Sequence, residues 1–196
     1  MEKAGSLMSS KYSVSEQEIQ LSIAREAIKA AVMGKPLPAI DLDSLPSSLA
    51  AEGASFVTLT IEGRLRGCIG TLEAYQPVAI DVQEHAVAAA LQDTRFPTLQ
   101  PSELPLIKIE ISILTPRRPL IYSDPIELEE KLRPGIDGVV LQDGFRKATF
   151  LPQVWEKIPD TQTFLTQLCM KMGAPGNLWQ KKPLQVYIYQ VTEFHE

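Results

Sequence analysis

"SFVTLTIEGRLRGCIGTL", Ser55–Leu72, alternates apolar and polar residues on both sides of a short polar interruption. Val57, Leu59 and Ile61 alternate with Phe56, Thr58 and Thr60. Beyond the interruption, Leu65, Gly67 and Ile69 alternate with Arg66, Cys68 and Gly70. A period of two is that of a half-buried strand, so the stretch predicts a hairpin. Parity then constrains the register. A three-residue loop, Glu62-Gly63-Arg64, sets Ile61 against Leu65, Leu59 against Gly67 and Val57 against Ile69, which joins the two apolar rows. It also sets Thr60 against Arg66 and Thr58 against Cys68. A two-residue loop would set Leu59 against Arg66 and place a cation on the apolar face, at a high desolvation cost.

The flanking sequence supplies helices and one more clear strand. Residues 1–14 read as a tail. Ser15 and Glu18 have the spacing of a capping box, and apolar residues then recur at helical intervals up to Gly34, which predicts a helix over Glu16–Met33. After the hairpin, Pro77 suits a first helical turn, and Val78, Val82, Ala86 and Ala90 form one stripe. Pro97 ends that segment by pushing Phe96 out of the helical region. In "LPLIKIEISILTP" Ile107, Ile109, Ile111 and Ile113 alternate with polar residues, as in an antiparallel strand with one buried face. The second half adds a short helix in "DPIELEEKL", a strand–turn–strand around Asp143-Gly144, a helix over Thr163–Met172 ended by Gly173, and a single final strand over Leu184–Phe194. The class is α+β, with mainly antiparallel sheets and packed helices. Residues 15–196 suit a single domain with two intimate subdomains.

Composition narrows the function. The chain has 196 residues, 44% apolar and 22% charged, with a net charge of −5. Such acidity argues against nucleic acid as a partner, because a phosphate-binding surface needs many clustered cations. It leaves room for a local basic pocket. Two cysteines, Cys68 and Cys169, give neither a zinc spacing nor a disulfide framework. There is no apolar leader and no run near the ~18 apolar residues of a membrane span. The expectation is a cytoplasmic chain with free thiols and no membrane contact. No P-loop, HExxH, GxSxG or EF-hand pattern is present, so no cofactor and no metal are expected.

Cys68 is the candidate reactive group. In the preferred register it shares a face with Arg66, and a neighbouring cation favours thiolate. Gly67 and Gly70 permit close backbone approach, and the N–H groups of Gly67, Cys68 and Ile69 are candidate donors to an oxyanion. Arg95, in "LQDTRFP", reads equally as a helix C-terminal cation or as a partner of Arg66 at an anion site. The expected ligand is small and anionic or carbonyl-bearing. The rival reading makes Gly67, Cys68 and Gly70 packing residues, and Arg66 a surface or interface anchor, of a non-catalytic regulatory or interaction module. Cys169 lies on a helical stripe with Leu165 and Met172 and reads as core. His85 reads as a solvated histidine on a helix face.

"LRGCIGTL" (Leu65–Leu72), "AAALQDTRFPTL" (Ala88–Leu99), "IEISILTP" (Ile109–Pro116), "GIDGVVLQDGFRKATFLPQVW" (Gly135–Trp155) and "FLTQLCMKMG" (Phe164–Gly173) resemble the AMMECR family, named after the Alport syndrome–elliptocytosis chromosomal region. The resemblance covers residues 15–196. It implies an α+β fold with a larger and a smaller subdomain, and a family without an established activity. A nucleic-acid or regulatory role is among the suggestions it brings. Prokaryotic relatives are often encoded with, or fused to, a MEMO-like protein and a radical-SAM protein, which implies these as pathway partners. The family motif maps onto Leu65, Arg66, Gly67, Cys68, Ile69 and Gly70, and a second element onto Asp93, Arg95 and Phe96. His85 lies outside the pattern.

Overall fold

The alternation in Ser55–Leu72 produces an antiparallel hairpin of β1 (Glu52–Ile61) and β2 (Arg64–Gly70). This is seen in a computed structural model that describes residues 12–196. Leu59 lies opposite Gly67, Thr58 opposite Cys68 and Val57 opposite Ile69, the partners that the apolar rows require. The turn differs from the three-residue expectation. Ile61 pairs with Arg64 and Thr60 with Leu65, so only Glu62 and Gly63 form the loop. Their φ angles, 51° and 75°, are both left-handed, as a tight two-residue hairpin needs. Register then shifts between Leu59 and Thr60, and Arg66 is the extra, unpaired residue. A bulge at Arg66 thus keeps the tight turn and restores the apolar pairing from Gly67 onward, while Leu65 lies opposite Thr60 instead of Ile61 and is exposed.

The hairpin belongs to a five-stranded sheet. The remaining strands are β3 (Gln76–Pro77), β4 (Ile107–Leu114) and β9 (Val191–His195), and the order is β2-β1-β4-β9 with β3 beside β1. β4 is the expected isoleucine strand, antiparallel to β1. Ile107, Ile109, Ile111 and Ile113 are buried while Lys108 is exposed. Two helices pack on the apolar face, α1 (Val14–Val32) and α3 (Val78–Leu91), and the four-residue α2 (Ser47–Ala50) precedes β1.

α1 starts two residues before the expected position. Ser13 and Glu16, not Ser15 and Glu18, form the capping box, with Ser13 N donating to Glu16 Oε2 at 2.7 Å. The segment contains two overlapping Ser-x-x-Glu spacings, and the outer one is used; Ser48 also donates to Glu16. Tyr12 is buried, so residues 12–14 are ordered into the helix start. The rest of the expected tail, residues 1–11, lies outside the described residues. At the other end Gly34 adopts φ 64° and takes the expected position past the helix.

In α3 the stripe of Val78, Val82, Ala86 and Ala90 is buried as its spacing predicts. Small side chains let the helix backbone come very close to β2. A Cβ built on Gly67 would stand 2.1 Å from the carbonyl oxygen of Ala89. Glycine at 67 is therefore a condition of helix–strand packing.

The chain divides into two compact units. The larger holds the chain up to Leu114 together with Thr192–Glu196; the smaller holds Thr115–Val191. The smaller unit has a four-stranded antiparallel sheet in the order β5-β8-β6-β7, built from β5 (Arg118–Pro119), β6 (Gly138–Asp143), β7 (Arg146–Phe150) and β8 (Gln185–Tyr189). Its helices are α4 (Pro125–Lys131), α5 (Val154–Lys157), α6 (Thr161–Lys171) and α7 (Leu178–Lys181). Asp124 and Asp160 cap α4 and α6 through their side chains. Trp155 stacks on Phe164 with ring centroids 3.6 Å apart, and Cys169 is fully buried in the same core, as its stripe predicts. The single final strand expected over Leu184–Phe194 is instead two strands, β8 and β9, which belong to different sheets and break at Gln190.

Candidate functional site

Cys68 sits on the sheet face that α3 does not cover. Gly67 faces the helix, so its neighbour Cys68 points the other way, as Thr58 opposite it does. Thr58 Oγ1 donates to Cys68 Sγ at 3.3 Å, and the thiol is half-buried. On the same row, Glu110 of β4 lies opposite Thr58. Burial raises the pKa of Glu110, with help from the nearby charge of Glu193, while His195 acts in the other direction. A thiol, a hydroxyl and a carboxyl group that holds its proton above the usual range therefore cross three neighbouring strands.

The backbone of Cys68 turns both its polar groups away from β1, and Asp93 and Arg95 meet them. Cys68 N donates to Asp93 Oδ2 at 2.8 Å, and Arg95 Nη2 donates to Cys68 O at 3.0 Å. The two side chains also bind each other, with Arg95 Nη2 to Asp93 Oδ2 at 2.6 Å and Arg95 Nε to Asp93 Oδ1 at 2.9 Å. Asp93 is buried, and the Arg95 guanidinium holds its carboxyl well below the ordinary range; burial opposes this, and the N–H groups of Cys68 and Arg95 add to it. Asp93 in turn raises the Arg95 pKa, and the Cys68 side chain contributes in the same direction. The cation whose field reaches the sulfur is thus Arg95. Its side chain is 56% exposed, and Nη1 donates to no group among the described residues.

Arg66 does a different job. As the bulged residue it leaves the strand ladder, and its guanidinium grips Glu103 with two bonds of 2.8 and 2.9 Å. It also donates to the carbonyls of Pro97 (2.7 Å) and Thr98 (3.4 Å). The pairing lowers the Glu103 pKa. Arg66 therefore fastens the segment after α3 to β2, and Glu103 matches its charge. Gly70 is likewise a packing residue, since a Cβ there would lie 2.4 Å from the Phe56 ring. Ile69 packs against the core beside Val57.

His85 is largely buried, not freely solvated on a helix face. It is 9% exposed, on the helix-covered side of the sheet, with Nδ1 3.1 Å from Asp81 Oδ2. The sheet lies between it and the Cys68 thiol, so the two do not form a pair. Periodicity misreads His85 because its polar partner, Asp81, is one turn away on the same buried face and satisfies it there. Among the described residues no group of three His, Cys, Asp or Glu side chains is placed to hold a metal ion. No helix among them is long and apolar enough to cross a membrane. Thr58, Glu103 and Glu110 carry no motif of their own. Thr58 was legible only through the register, and Glu103 only through the cap that it forms with Gln100.

Comparison with known proteins extends over nearly the whole chain. The AMMECR1 family model matches residues 21–194. A protein of Methanothermobacter thermautotrophicus is 37% identical over 184 residues, covering 90% of this chain and 92% of its own length. Protein NEQ441 of Nanoarchaeum equitans is 34% identical over 178 residues, covering 89% of this chain and 97% of its own. The crystal structure of the uncharacterised protein PH0010 from Pyrococcus horikoshii superposes with a TM-score of 0.81 at 30% identity, covering 91% of this chain and 90% of that one. Sequence identity at this level, sustained along full lengths and accompanied by one fold, has a single reading: the chain belongs to the AMMECR1 family.

Proposed function

We propose that the protein binds a small carbonyl- or carboxylate-bearing ligand at the Cys68 face of the sheet and uses the thiol as its reactive group. One observation carries this reading: a half-buried sulfur receives the Thr58 hydroxyl and also adjoins an arginine whose outer side is open. Arg95 orients the ligand oxygen through Nη1. Thr58 orients the sulfur, and Glu110 stands on the same row as a proton donor. Arg66, Gly67, Ile69 and Gly70 build the strand that presents Cys68.

Alkylation by iodoacetamide, followed by mass spectrometry, tests the reading. Cys68 reacts at least about tenfold faster than Cys169, whose thiol is fully buried and whose pKa burial raises. Arg95→Met slows Cys68 alkylation at a fixed pH of about 8. Equal rates at the two cysteines, or an Arg95→Met rate identical to that of the unaltered chain, refute it.

A second reading has its own support. Glu103 and Asp93 already bind the two motif arginines, and Gly67 and Gly70 are packing residues. These facts favour a non-catalytic interaction module in which the motif is architectural. Slow alkylation of Cys68 is the outcome that selects it.

A further inference from the structure

On the helix-covered side of the sheet, Asp81 of α3 gathers an unusual set of donors. Its side chain is wholly buried. Oδ2 accepts from Ser55 N at 2.8 Å and Ser55 Oγ at 2.6 Å, and lies 3.1 Å from His85 Nδ1. Oδ1 accepts from Gln76 Nε2 at 3.4 Å. A carboxylate only accepts, so Nδ1 carries the hydrogen in this contact. Whenever the ring is neutral, its lone pair is therefore on Nε2. No group among the described residues bonds to Nε2. Nor is it among the buried polar atoms that lack a partner. The ring lines an open cleft of about 420 Å³ together with Leu37, Ile69, Glu84, Ala88 and Gln92.

The cleft has one acceptor nitrogen held in place by a buried carboxylate, one acidic side chain, the uncharged Gln92 amide, and an apolar wall from Leu37, Ile69, Val87 and Ala88. No lysine or arginine lines it. Gln76 Nε2 holds Glu84 by its Oε2 at 2.7 Å. Such a lining repels an anion and complements an ammonium group carried on a short aliphatic chain. We propose that this cleft is a binding site for small primary-amine ligands. His85 Nε2 accepts from the ammonium group, Glu84 matches its charge, and Asp81 and Ser55 are positioning residues that fix the ring. The site is separate from Cys68, because the sheet lies between them.

The test is nitrogen-15 NMR of the full chain at about pH 8, with n-butylammonium and butyrate as probes. Butylammonium shifts the Ile69 and Ala88 amides and the His85 Nε2 signal in a saturable way, with the millimolar affinity expected of so small a ligand. Butyrate leaves them in place. His85→Phe weakens butylammonium binding at least about tenfold and Glu84→Gln weakens it several-fold, while the rest of the spectrum reports an intact fold. Ser55→Ala, the milder change to the positioning pair, raises the share of the tautomer protonated at Nε2, a readout that a merely structural serine would not move. Equal response to butyrate, no response to butylammonium, undiminished binding by His85→Phe, or a free protein already protonated at Nε2 overturns the proposal.

Discussion

Replacing Gly67 with alanine adds one methyl group at the closest approach of α3 to β2. The added carbon would lie 2.1 Å from Ala89 O, 3.1 Å from Ala89 C and 3.7 Å from Ala89 Cα. The first separation is about 1 Å below anything that packed side chains tolerate, so helix and strand must part by that amount. The obstacle is backbone, so no rotamer relieves it. Overpacking of this kind costs about 1–3 kcal/mol, and the rigidity of the neighbour favours about 3 kcal/mol. For a chain of this length each kcal/mol lowers Tm by roughly 2–4 °C, giving a loss of roughly 6–12 °C. Thermal unfolding followed by circular dichroism measures it. Because the clash is with a carbonyl, trimming the side chain that carries it does nothing, and the double variant Gly67→Ala/Ala89→Gly stays as unstable as the single one or becomes less stable. An alanine variant within about 1 °C of the unaltered protein, or rescue by Ala89→Gly, refutes the account of why the motif has glycine there.

Two further predictions use the sign of a shifted pKa. Asp93 titrates lower in the folded chain than in the unfolded one, so its pairing stabilises in full above about pH 4 and the benefit fades as pH falls further. The Tm gap between the protein and Asp93→Asn is therefore constant from about pH 8 to 5 and shrinks towards pH 3; a gap that widens on acidification contradicts this. Glu110 is the opposite case: its raised folded pKa makes ionisation a cost that appears as pH rises past the unfolded value, about 4.3. Glu110→Gln accordingly raises Tm at pH 8 and leaves it unchanged near pH 4, and stabilisation confined to low pH counts against it.

Local rules carried much of the fold. The alternation in β4, the alanine stripe of α3 and the row of Val57 and Leu59 each constrain one face, and the structure buries those residues; Leu65, before the bulge, is exposed. The turn escaped because two remedies preserve the same apolar rows, a three-residue loop or a tight turn plus a bulge, and parity alone does not separate them. The structure uses the second, with Glu62 at φ 51°. The break at Gln190 escaped for a related reason: both sides are strand, and only tertiary pairing assigns them to different sheets. At the candidate site, sequence parity did place Cys68 away from the isoleucine row, beside Thr58. The bulge altered the role of Arg66, which reaches Glu103, and the cation beside the sulfur comes from Arg95, twenty-seven residues along the chain. One helical turn links Asp81 to His85, but no spacing rule adds Ser55, whose meeting with them depends on how α3 lies across β1.

The pair formed by Asp93 and Arg95 has one more consequence. β2 ends the sheet, and a strand in that position normally bares a donor and an acceptor that a foreign strand can adopt. At Cys68 the carboxylate and guanidinium take those two groups, as the backbone of a sixth strand would. A pair of side chains thus caps the sheet's rim and denies aggregating chains a template there.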